Sequence, residues 1–131
     1  MGAALVDTEL EVTDNDLTAM AVDKGMMTLV DEAKQAELLT YLQSHQIQAS
    51  RASGGSAGNT IIASSYFGGK CFFSGKVADD ENDHFYMQDM HAAGVDIPTA
   101  TPESGVTGKC LILITPDAER SMNTFMGISA E

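Results

Sequence analysis

Two places in this chain put polar groups where a ligand could use them. The first is Gly54-Gly55-Ser56-Ala57-Gly58-Asn59, with three glycines in five residues. Without a Cβ the backbone can turn sharply and approach a bound molecule closely. The segment behind it, Thr60-Ile61-Ile62-Ala63-Ser64-Ser65-Tyr66-Phe67, reads as a helix that stops at Gly68-Gly69. The glycines therefore stand at a helix N-terminus, whose open N–H groups and positive dipole end suit a polar or anionic ligand. A tight strand-to-helix connection has the same signature, so the motif alone leaves both readings open. The second place is Asp7, which stops the apolar run that begins the chain. A carboxylate just past the carboxyl end of a strand is where open α/β sheets place ligand-binding groups. An aspartate that merely starts a turn reads the same way.

Other reactive residue types fall in less suggestive settings. Cys71 and Cys110 lie inside apolar, strand-like runs, Cys71-Phe72-Phe73 and Cys110-Leu111-Ile112-Leu113-Ile114, and read as buried thiols of a cytosolic protein. His84 and His91 share a helix seven residues apart, with no Cys or third His at metal spacing, and read as ordinary histidines. The formal net charge is −12, from 19 acidic and 7 basic residues. That balance argues against nucleic acid or an anionic membrane as a partner, because both require clustered Lys and Arg. No basic stretch precedes an apolar core of signal-peptide length, and no apolar window approaches a membrane span. The expected location is cytoplasmic. A chain of 131 residues with 44% hydrophobic content is one domain's worth of sequence, able to form a core.

The elements that must position these groups alternate between strand and helix. Thr8–Val12 alternates polar and apolar residues and reads as a half-exposed strand, followed by a turn or helix start at Asp14-Asn15-Asp16. Lys24-Gly25 breaks the chain before a strand over Met26–Val30. Asp31 is placed to cap a helix from Glu32 to about His45, with Leu38, Leu39 and Leu42 as its apolar stripe. A short strand over Ile47–Ala52 leads into the glycine turn, and Lys70–Val77 reads as the strand after the glycine-led helix. Asp79 or Asp80 caps a helix to about Ala93, buried through Phe85, Tyr86, Met90 and Ala93 and stopped by Gly94. Val95–Gly108 holds two of the three prolines and reads as an irregular strand plus loop. Lys109–Thr115 and Arg120–Met126 form a hairpin around Pro116-Asp117-Ala118-Glu119. The pattern is α/β in the middle, with antiparallel strands added at both ends.

Laid out in order, these segments resemble a known family. The carriers are Gly2-Ala3-Ala4-Leu5-Val6-Asp7, Met27-Thr28-Leu29-Val30-Asp31 and Gly54-Gly55-Ser56-Ala57-Gly58-Asn59-Thr60. They continue with Gly75-Lys76-Val77-Ala78-Asp79-Asp80, Ala92-Ala93-Gly94-Val95-Asp96, and Thr107-Gly108-Lys109-Cys110 through Arg120-Ser121-Met122-Asn123-Thr124. Together they resemble the N-terminal part of ribokinase-like carbohydrate and nucleoside kinases of the phosphofructokinase-B type, bacterial adenosine-kinase-like and sugar kinases in particular. The resemblance implies the N-terminal part of a three-layer α/β fold with antiparallel lid strands around 8–12, 26–30, 95–101 and 109–126. It implies transfer of the γ-phosphate of ATP, with Mg2+, to a hydroxymethyl group of a sugar or nucleoside.

In this resemblance Asp7 accepts hydrogen bonds from sugar hydroxyls, for which an ionised carboxylate with two oxygens is suited. Gly54 and Gly55 let the backbone approach the ring, and Asn59 supplies a donor and an acceptor. Met27 and Leu29 offer apolar contact to a base or sugar face, though core packing would explain both. Arg120 reaches phosphate charge, unless it is an ordinary surface arginine. The glycine-rich motif that ends in the general base belongs to the family's C-terminal half and has no counterpart between Met1 and Glu131. The chain thus reads as one partial domain, the lid and first βα units without the ATP site, inactive by itself. Such a piece is expected to leave apolar surface exposed and to pair with a second copy through its lid strands. The competing expectation is a non-catalytic sugar- or nucleoside-binding or interaction module.

Overall fold

The structure is a computed structural model and describes residues 1–98 and 104–130. In order it contains β1 (Leu5–Glu11), α1 (Asp14–Ala19), β2 (Met27–Leu29), α2 (Glu32–Ser44), β3 (Ala49–Gly54) and α3 (Ser56–Tyr66). There follow β4 (Cys71–Phe72), α4 (Glu81–Ala92), β5 (Val95–Asp96), β6 (Gly108–Ile114), β7 (Arg120–Phe125) and a closing 3-10 turn over Gly127–Ala130. The α/β class agrees with the sequence reading. The chain divides into two units, one of Met1–Asp7, Ala52–Lys109 and Met126–Glu131, the other of Thr8–Arg51 and Cys110–Phe125.

The second unit holds most of a five-stranded sheet of order β2-β7-β6-β1-β3. Leu111 and Leu113 of β6 and Leu10 of β1 pack with Leu17 of α1 and with Leu38 and Leu42 of α2. The two leucines of α2 are four apart and so share one helix face. Both helices start where local chemistry says they should. Asp31 accepts the Lys34 N–H at 2.8 Å, and Thr13 and Asp16 form a reciprocal capping box. The expected hairpin is present: Thr115 N–H donates to the Glu119 carbonyl at 3.1 Å, and Ala118 takes φ +64°. β2 corrects the expectation of purely antiparallel lid strands. It lies parallel to β7, Met27 beside Met122 and Leu29 beside Thr124. The long connection through α2, β3 and unit 1 frees β2 from hairpin geometry, and its approach is fixed by Gly25 N–H donating to Ser121 Oγ at 2.9 Å.

The first unit packs α3 and α4 on a two-stranded parallel pair, β4 and β5, in register Cys71–Val95 and Phe72–Asp96. Ala4, Val6, Cys71, Phe73, Val77, Tyr86, Met90, Ala93 and Val95 form its core. Asp80 caps α4 through the Asp83 N–H at 2.9 Å and accepts the Thr107 N–H at 2.8 Å, while Gly94 takes the left-handed φ of +77° that ends the helix.

Three expectations change here. The strand expected over Lys70–Val77 keeps ladder geometry only at Cys71–Phe72, because its partner β5 is equally short. At Gly75 the chain runs so close to Gly2 that an added Cβ would lie 2.8 Å from the Gly2 carbonyl. The strand at Val95, expected among the lid strands, pairs inside this unit rather than in the five-stranded sheet, because a βαβ crossover through α4 sets it parallel to β4. The expected stretch over Val95–Gly108 includes residues 99–103, which lie outside the described residues. The third change concerns Asp7. It sits within a continuous β1 rather than just past a strand end, since the two expected short strands are one.

Candidate substrate site

The turn into α3 is built from positions that leave no room for side chains. Gly54, the last residue of β3, is buried, and an added Cβ there would collide with the carboxyl group of Asp7. The Asp7 carboxylate therefore lies directly against the backbone of the turn. Gly55 makes the bend with φ +83°, and a Cβ would lie 2.8 Å from the Ala3 carbonyl oxygen. Only glycine takes this conformation without strain. Gly55 is also the N-cap of α3, so no side chain caps the helix. The first N–H groups of a helix have no partner within it, and here they stand close to the Asp7 carboxylate. α3 thus begins at Ser56, four residues earlier than Thr60, and Gly58 lies in its first turn rather than in the bend. Asn59 follows, its own N–H held by the Gly55 carbonyl at 2.9 Å and its residue exposed to solvent.

From sequence α4 reads as core alone, whereas two of its side chains meet the chain on either side of this turn. Ser53, the residue before the glycines, donates its N–H to Asp89 Oδ2 at 3.0 Å. Tyr86, 1% exposed, points its hydroxyl at Gly58, where an added Cβ would meet it at 2.8 Å. That hydroxyl has no hydrogen-bond partner among the described residues. Burial first, then the carboxylates of Asp7 and Asp89, push its ionisation above the ordinary tyrosine range. The spacing of Tyr86 and Asp89, three apart on a helix, was the available signal.

The remaining candidates belong to the second unit. Met27 and Leu29 alternate along β2 and are 57% and 65% exposed, so core packing does not account for them. Arg120 forms an exposed ion pair with Glu9, Nη2 to Oε1 at 3.1 Å. Cys71 and Cys110 are buried and not joined in a disulfide, and Thr124 Oγ1 donates to Cys110 Sγ at 3.2 Å. His84 and His91 are exposed. Among the described residues no three His, Cys, Asp or Glu side chains converge to hold a metal. Among the described residues no helix is long and apolar enough to cross a membrane.

The chain is similar to solved structures of kinases. An adenosine kinase from Sinorhizobium meliloti is 37% identical, with a TM-score of 0.84, over 99% of this chain and 39% of that one. A probable sugar kinase from Rhizobium etli CFN 42 is 37% identical, with a TM-score of 0.81, over 96% of this chain and 37% of that one. The Anopheles gambiae adenosine kinase, in complex with P1,P4-di(adenosine-5) tetraphosphate, shares the fold at a TM-score of 0.85 with 22% identity, over 98% of this chain and 38% of that one. This chain therefore spans about two fifths of the length of these relatives. No curated protein matches it significantly. The profile of the pfkB family carbohydrate kinases matches residues 17–131. With that match over most of its length, the chain belongs to the pfkB family of carbohydrate kinases.

Proposed function

We propose that this chain is the substrate-binding and lid part of a kinase that transfers the γ-phosphate of ATP to a hydroxymethyl group of a sugar or nucleoside. The observation that carries this reading is the Asp7 carboxyl group lying against Gly54 at the uncapped start of α3. A carboxylate, a bare backbone and open N–H groups together can accept from and donate to the vicinal hydroxyls of a ribose-like ring. Asn59 adds an amide able to do both. Met27 and Leu29 are assigned to the apolar face of the ligand, and Arg120 to phosphate charge. Both assignments rest on the family resemblance, and Arg120 would exchange its partner Glu9 to act.

In this reading the nucleotide, its Mg2+ and the general base belong to the part of the relatives' length that this chain does not span. The described residues present no carboxylate cluster that fits Mg2+, so no step is assigned to the metal here. What these residues do is bind and orient the acceptor hydroxyl, which lowers the barrier by fixing the reacting atoms. Met27 and Leu29 of β2 and the preceding Met26, all exposed, are assigned a second role, pairing with another copy of the chain. The protein is taken to act in the cytoplasm.

The test compares Asp7→Asn with Asp23→Asn, an exposed aspartate in a loop of the second unit, in the full-length protein. Asp7→Asn should raise KM for the acceptor about tenfold or more, since hydrogen bonds to a charged group contribute about 1.5–3 kcal/mol. Equal KM values for the two variants would contradict the assignment. The acceptor is chosen by a thermal-shift panel of ribose, fructose, adenosine and inosine, because a true ligand raises apparent stability by mass action.

A further inference from the structure

We propose that Tyr86 and Asp89 of α4 are positioning residues for the substrate site, holding the glycine turn at both of its ends. The inference rests on the function proposed above and extends it to residues that do not touch the acceptor. Asp89 holds the chain at Ser53 by a backbone hydrogen bond of 3.0 Å, just before Gly54. Tyr86 abuts Gly58, just before Asn59. The two side chains are three residues apart on one helix and so share a face. Between their contact points lie Gly54, Gly55, Ser56 and Ala57, the residues that set the Asp7 carboxylate against the backbone.

The tyrosine hydroxyl makes this more than packing. A buried hydroxyl without a partner is costly, and phenylalanine would fill the same core space without that cost. Here the hydroxyl oxygen is the atom that meets position 58. An added Cβ would sit 2.8 Å from it but 3.9 Å from the ring carbon that bears it and 3.6 Å from Met90 Cε. Removing the oxygen would leave an ordinary contact at every neighbour. Burial and the carboxylates of Asp7 and Asp89 all disfavour its ionisation, so it stays a neutral spacer.

The geometry gives a test by rescue. Calorimetric titration of the full-length protein measures Kd for adenosine, or for whichever of ribose, fructose and inosine binds the wild type. Gly58→Ala should weaken binding about tenfold or more by shifting Asn59 and the turn, and adding Tyr86→Phe should return Kd to within about threefold of wild type. Unchanged affinity in Gly58→Ala, or a double variant as weak as Gly58→Ala alone, would overturn the proposal. Circular dichroism confirms that each variant is folded before titration. Should Gly58→Ala not fold, the same decision falls to Asp89: weakened binding in Asp89→Leu with recovery in Asp89→Asn, which still accepts the Ser53 N–H, supports positioning, and equal affinities refute it. Asp7→Asn separates the two levels. Wild-type affinity in Asp7→Asn contradicts the functional reading itself, whereas weak binding there with unaffected Gly58 and Asp89 variants contradicts only the positioning role.

Discussion

At the glycine turn, positions 54, 55 and 58 each exclude a side chain, through the Asp7 carboxyl group, the Ala3 carbonyl with a positive φ, and the Tyr86 hydroxyl. The sheet of the second unit is held in another way, by a leucine-rich core, two capped helices and surface ion pairs such as Lys24 with Asp14 and Asp117. Its β2 leaves Met27 and Leu29 largely exposed. The turn is determined by steric exclusion, so one added methyl group matters. The second unit's sheet is determined by additive contributions, most of which can be lost singly. Sensitivity to a single added atom is thus concentrated in the first unit, and tolerance to change in the second.

The contrast is broken most directly at Gly54. Gly54→Ala should weaken acceptor binding about 100-fold, because the methyl must displace the Asp7 carboxyl group. Overpacking of this kind also lowers stability by about 1–3 kcal/mol. Calorimetry and urea unfolding check both, and wild-type affinity would remove the steric account of the turn. In the second unit Leu38, 1% exposed, offers the opposite signature. Leu38→Ala should cost about 2–5 kcal/mol of stability while the folded protein keeps its Kd. Loss of affinity in that variant would show that the core of the second unit is not separable from the site. Thr13→Ala should remove the capping box for about 1 kcal/mol, seen as a small fall in the urea midpoint.

The smallest effect concerns pH. Hydrogen bonds from Lys24 and then from Thr115 pull the Asp117 carboxyl group from 3.8 down to about 2. A carboxylate depressed in the folded state contributes stability above its unfolded value, near 3.8, and loses it as pH falls toward 2. Asp117→Asn should therefore lower Tm slightly at neutral pH, less in high salt, and not at all below pH about 2. A difference that persists in strong acid would assign the effect to something other than charge.

What could be read from sequence follows the same division. The helix from Asp31 to His45, the stop at Gly94 and the hairpin at Pro116-Asp117 are written in local chemistry, and the structure has them within a residue or so. The family resemblance, carried by the order of the glycine and aspartate segments, is matched by the pfkB profile. Long-range pairing was not legible. Nothing near Asp7 says that β1 runs through it, nothing near Lys70 says that its partner strand is only Val95–Asp96, and β2 joins β7 in parallel from far along the chain. The glycine motif was legible as a turn but not in its parts. Gly55 makes the bend, while Gly58 is helical and lies against the hydroxyl of Tyr86, a residue that reads as plain core.

Amide hydrogen exchange on the full-length protein, with and without the nucleoside or sugar selected by thermal shift, reads ligand contact at the turn itself. Binding there slows exchange at the first amides of α3, from Ser56 to Gly58, and in β1 around Asp7. Ligand-dependent protection elsewhere, with these amides unchanged, would contradict the proposed site.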